Sequence, residues 1–120
     1  MANYEFKLDT KEMERKFKSY NNVPQYAMIG LKKVAAFGVN YVKKLTPWKT
    51  KNLQRNWFMK SDGDSYVLYN NTEYAYYVEK GHRTRKGKFI EGRFMLRRTF
   101  DHLNKIAPSI IEREIESRID

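Results

Sequence analysis

His82 and His102 are the only two histidines, and the chain has no cysteine. The side chains that most often bind transition metals or form nucleophile–base pairs are therefore scarce. The two histidines lie in different predicted elements with no acid at ligand spacing near either, which argues against a zinc or iron site. Ser19, Ser61, Ser65, Ser109 and Ser117 fall in cap, turn or terminal contexts, without the glycine pattern of a nucleophile elbow. Gly81 and Gly87 flank basic residues, but neither follows a strand and opens a helix as a phosphate-cradling loop does. Glu73, Glu79 and Glu91 could pair for acid–base work, yet Arg and Lys surround them, and salt bridges are the expected role. The expectation is a protein that is not an enzyme and carries no cofactor.

The chemistry present in quantity is positive charge: 24 Lys and Arg against 14 Asp and Glu, a net +10. From Pro24 to Ser61 there is no acid at all, and from Lys80 to Arg98 Glu91 stands alone among basic residues. Two groups are candidates for partner contact. Lys32, Lys33, Lys43 and Lys44 lie mainly off the apolar stripe of a predicted helix. Arg83, Arg85, Lys86 and Lys88 occupy the stretch GHRTRKGK, with Arg93 just beyond it. Either group could neutralise phosphates, meet an acidic protein surface, or form a solvated face. There is no zinc-finger spacing, RNA-recognition aromatic motif or helix-turn-helix, so any DNA contact would be to the backbone and without sequence preference. Aromatics make up 15% of the chain. Trp48, Trp57, Tyr74, Tyr76 and Tyr77 are candidate interface residues, though each tyrosine can equally be core.

These groups need elements to hold them. A helix is predicted from the capping box Asp9-Thr10-Lys11-Glu12, with Met13, Phe17 and Tyr20 on one face. Pro24 opens a longer helix whose stripe is Ala27, Leu31, Val34, Gly38, Tyr41 and Leu45, closed by Thr46-Pro47. Gly38 on that stripe implies close approach of another backbone. Leu53 to Lys60 alternates like a strand, Ser61-Asp62-Gly63-Asp64 is a hairpin turn, and Tyr66-Val67-Leu68-Tyr69 returns. Glu73 to Lys80 reads as a short helix with Gly81 at its C-cap. Gly81 to Lys88 reads as a basic loop, mobile unless a partner orders it. Helix is predicted again from Gly92 to Asn104, Pro108 breaks or kinks it, and a last helix carries Ile111, Ile115 and Ile119.

The fold class is therefore α+β, with long N-terminal helices, a central antiparallel hairpin or small sheet, a short helix and C-terminal helices. A single domain over residues 1–120 is expected. No apolar run approaches the ~20 residues that span a bilayer. The first residues lack the apolar stretch of a signal peptide. Synthesis in a cytoplasm without a membrane partner is expected.

Three linked segments resemble a known family. The first is Leu45-Thr46-Pro47-Trp48-Lys49-Thr50-Lys51-Asn52-Leu53-Gln54-Arg55, in which Lys51 stands where the family usually has glycine. The second is Asn70-Asn71-Thr72-Glu73-Tyr74-Ala75-Tyr76-Tyr77-Val78-Glu79-Lys80-Gly81-His82, and the third Ile90-Glu91-Gly92-Arg93-Phe94-Met95-Leu96. Together they resemble the phage tail-component family of tail-completion, head–tail joining and minor tail protein Z-like proteins. The resemblance implies structural work at the neck of a virion: a homo-oligomeric ring, six-fold by analogy, between the head connector and the tail terminator, with DNA passing through its lumen. The alternative reading is a free, non-specific DNA-binding protein using the basic helix face and loop.

Overall fold

The computed structural model describes residues 5–9, 23–47 and 51–119. The helix expected from the capping box and the side chain of Trp48 lie outside the described residues. Asp9 is the last residue of a strand, β1 (Glu5–Asp9).

Helix α1 (Val23–Leu45) buries Ala27, Leu31, Val34 and Gly38 of the predicted stripe, adds Gly30, Ala35 and Val42, and leaves Tyr41 and Leu45 half-buried. It packs along a second long helix, α4 (Met95–Glu116), through Leu96, Leu103, Ile111 and Ile115. Two glycines set how closely the helices lie. A methyl group on Gly30 would sit 2.8 Å from the Cα of Ile111. At Gly38 the neighbours are side chains, Leu103 of α4 and Leu68 of the sheet, each 2.8 Å from such a methyl. The close backbone approach expected at Gly38 thus occurs one turn pair earlier, at Gly30.

Strands β2 (Trp57–Asp62) and β3 (Ser65–Asn70) form the expected hairpin around Gly63, which has φ +63°. β3 is central in an antiparallel sheet of order β1-β3-β2, with Phe6 opposite Leu68 and Met59 opposite Leu68 on the other side. The alternation read from Leu53 begins too early. Residues Lys51–Arg55 form a short helix, α2, and the strand starts at Trp57. Asn56 tightens the end of that turn, its side-chain amide donating to the Asn52 carbonyl at 2.6 Å, and Gln54 donates to the Lys43 carbonyl at 3.0 Å.

A further correction concerns the C-terminal helices, which are one. α4 runs through Pro108 without a break. An internal proline removes one helix hydrogen bond, at about 3 kcal/mol in an isolated helix. Here Asn104, whose carbonyl loses its donor, is exposed to water, while Ile111 and Ile115 beyond the proline are buried against α1. Tertiary packing therefore carries the helix past the proline. The architecture is α+β, with helices before and after a central hairpin.

Candidate interaction surface

Between β3 and α4 the chain builds a projecting arm. Asn70 ends β3 fully buried. Its amide donates to the Leu53 carbonyl at 2.8 Å, and its Oδ1 accepts from the Thr72 N–H and hydroxyl. That knot delivers the chain to α3 (Ala75–Lys80), the predicted short helix. The stretch expected to be a mobile loop is instead structured. β4 (Gly81–Arg83) and β5 (Phe89–Glu91) pair antiparallel, closed by Thr84 N–H to Lys88 C=O at 2.8 Å and Gly87 N–H to Thr84 C=O at 2.9 Å.

The base of this hairpin is closely packed. Gly81 has φ +86°, and a methyl there would lie 2.6 Å from the Ile90 carbonyl oxygen. A methyl on Gly92 would collide with the Glu79 carbonyl oxygen. Neither position accepts a side chain without moving backbone. Arg93 N–H donates to Val78 C=O at 2.8 Å, and Phe94 N–H to Glu79 C=O at 3.1 Å, tying the exit of the hairpin to α3.

Glu79 completes the base. It is 1% exposed, and its carboxylate accepts from the backbone N–H groups of Leu96 at 2.9 Å and Arg97 at 3.0 Å. Those are orphan donors of the first turn of α4, whose own cap residue, Phe94 at φ +49°, supplies no side-chain bond. An anion at a helix N-terminus also complements the helix dipole. The salt bridge expected of Glu79 is thus replaced by a cap made from a distance. The sequence offers one signal for it: α4 has no acid in its first turn.

The side chains expected to make contacts divide. Trp57 is not a contact residue: it is 1% exposed and its indole N–H donates to Thr46 Oγ1 at 2.8 Å, inside the core. Its size and its single donor are both satisfied there. Lys33 is held within the chain, its Nζ 2.6 Å from Glu114 Oε2. Arg118 binds the other oxygen of the same carboxylate at 2.7 Å. These two cations, Lys33 foremost, hold the Glu114 carboxyl below its usual range. Lys32 and Lys44 are exposed and Lys43 is half-buried.

The arm keeps its expected residues at the surface. Arg83, Arg85, Lys86, Lys88 and, past the hairpin, Arg93 are exposed, as are Tyr74, Tyr76 and Tyr77. Arg83 bonds the Gly87 carbonyl at 3.1 Å, and Tyr74 accepts from Asn52 at 3.1 Å. Tyr76 and Tyr77 meet edge to face at 5.9 Å, and Tyr77 meets His82 at 6.2 Å. Phe89 and Ile90 of β5 are exposed apolar residues. The sequence reading places Ile90 only in the family-like segment and does not single out Phe89; the hairpin register brings Ile90 opposite His82 and Phe89 opposite Arg83. Among the described residues no cluster of His, Asp and Glu could hold a metal ion.

A family model described as "Bacteriophage HK97-gp10, putative tail-component" matches residues 11–81. The chain belongs to this family. A search of curated proteins found no match, and a search of solved structures found none either. As a phage tail component the chain is a structural protein of the virion tail, and its partners are other structural proteins of the phage. The matched segment ends at Gly81, the first residue of the hairpin, so the rest of the arm and α4 lie beyond it. Two residues of the family-like motif, Asn70 and Glu79, are buried structural side chains of this tail component. No described helix is long and apolar enough to cross a membrane.

Proposed function

We propose that this tail component is a ring-forming subunit at the neck or tail end, a tail-completion or head–tail joining protein bridging the head connector and the tail terminator. The observation that carries the reading is the arm, a hairpin with exposed Phe89 and Ile90 beside a basic tip, next to exposed Tyr76 and Tyr77 of α3. Exposed apolar side chains grouped on an ordered projection fit a surface that is covered on assembly. The ring is a homo-oligomer, six-fold by family analogy, assembled in the host cytoplasm and retained in the virion. In that setting Lys32, Lys43 and Lys44 are the helix cations left to face DNA in the lumen, since Lys33 is engaged by Glu114.

Electron microscopy of particles carrying the tagged chain tests the position. A label at the head–tail junction is expected, and a label elsewhere on the particle sinks the neck assignment. A free, non-specific DNA-binding protein would instead bind duplex DNA as an isolated monomer, with affinity falling steeply as salt rises.

A further inference from the structure

We infer that the Gly81–Glu91 arm docks in an acidic, apolar-walled groove on a different structural protein of the particle, rather than on DNA or on a second copy of the chain. This goes beyond the neck position and does not depend on it.

The first argument is the distribution of apolar surface. Paired residues in an antiparallel hairpin point to the same face. Ile90 with His82 therefore lies on one face, and Phe89 with Arg83 on the other. Phe89 is 51% exposed and Ile90 41%. A two-stranded hairpin is marginal in water by itself, and this one leaves an apolar side chain uncovered on each face. A phosphate backbone offers nothing to bury either of them. A groove gripping the hairpin from both sides buries both.

The second argument is charge. Arg85, Lys86 and Lys88 are exposed at the tip, and no carboxylate of the described residues pairs with them. The arm holds a single acid, Glu91, so an anionic partner complements it. A second copy is the poorer occupant of this one contact, because each copy carries a net +10 and like charges oppose association; the proposed ring then closes through surfaces other than the basic tip. An acidic groove lined by apolar residues satisfies both halves of the arm. The fixed base adds to the fit, because Gly81, Gly92 and Glu79 already hold the hairpin and little ordering remains to be lost on docking.

Charge reversal separates the partners, since a protein partner can mutate and a phosphate cannot. In the particle that encodes the chain, the double variant Arg85→Glu, Lys86→Glu is expected to lower the yield of assembled particles about a hundredfold, the scale of reversing charges in a desolvated contact. The variant Phe89→Ser, Ile90→Ser should be as defective, with a thermal melt like that of the parent chain. Suppressors of the charge reversal should replace Asp or Glu in another structural protein. Normal yield from either variant overturns the inference. So does a suppressor search that returns changes only in this chain, which marks a second copy, or no suppressor at all. A labelled duplex DNA, titrated with the purified chain, gives the remaining outcome. Binding lost in Arg85→Glu, Lys86→Glu and kept in Phe89→Ser, Ile90→Ser, with particle yield following it, assigns the arm to DNA.

Discussion

The interior around α1 and α4 and the arm between α3 and α4 are built on opposite terms. In the interior, polar side chains find partners within the chain: Trp57 with Thr46, Asn70 with Leu53 and Thr72, Glu114 with Lys33 and Arg118. In the arm the backbone is paired and Arg83 and Thr84 bond within the turn, but the apolar residues and the rest of the tip are not covered. Its ladder and base are bonded, while Phe89, Ile90 and the basic tip face solvent. The contrast separates residues that hold the surface in place from residues that form it. Asn70, Glu79, Gly81 and Gly92 do the first, and Tyr76, Tyr77, Arg85, Lys86, Phe89 and Ile90 do the second.

Substitutions should respect that division. Trp57→Ala empties a large core site and removes the donor to the Thr46 hydroxyl, which keeps its bond to the Val42 carbonyl, and is expected to destabilise the chain by about 3–5 kcal/mol in urea unfolding. A loss under about 1 kcal/mol would mean that Trp57 is not core. Gly92→Ala forces a methyl against the Glu79 carbonyl and should lose about 2–3 kcal/mol, the scale of an overpacked site. Its backbone amide signals should move at Gly81 and Glu79 while those of β3 stay in place. Glu79→Ala uncaps α4 and should lose about 1–2 kcal/mol, with the signal loss concentrated in Leu96 and Arg97.

The ion pair of Glu114 gives a smaller, pH-dependent effect. Its folded-state carboxyl titrates below the ordinary value of 4.5, through Lys33 first and Arg118 second. The stabilisation is therefore fully present above that ordinary value and is lost as pH falls through the folded one. Parent and Glu114→Gln should differ at neutral pH and converge on acidification. A gap that persists in strong acid would show that the charge is not its source. Smallest of all, Arg85→Ser with Lys86→Ser should change stability by no more than about 0.5 kcal/mol. A larger loss would place the tip in the folding unit and blur the division.

Local patterns carried much of the fold. The stripe Ala27, Leu31, Val34 and Gly38 repeats at helical spacing, and the Asp62-Gly63 turn and the Gly81 cap are written in adjacent residues. What escaped depends on distant partners. Leu53, Arg55 and Trp57 alternate like a strand, yet residues 51–55 form a helix, with Gln54 donating to the Lys43 carbonyl 11 residues earlier. Pro108 breaks no helix because the burial of Ile111 and Ile115 outweighs it. At the surface, the basic residues of the arm were legible as charge. Its two strands were not, because three-residue strands flanking a basic turn leave almost no periodic signal. Trp57 misled in the other direction, since an aromatic residue in an alternating stretch looks the same whether it faces a partner or its own core.

The cap that Glu79 places on α4 also bears on the order of folding. Its carboxylate comes from 17 residues earlier in the chain than the Leu96 amide that it meets. Starting a helix is its slow and unfavourable step, and α4 has no acid of its own in its first turn to help. The first turn of α4 is therefore complete only when α3 is in place, and α3 is joined to it through the hairpin. Amide exchange at Leu96 and Arg97 is expected to track that of the hairpin strands, and faster exchange at Leu96 alone would separate the two.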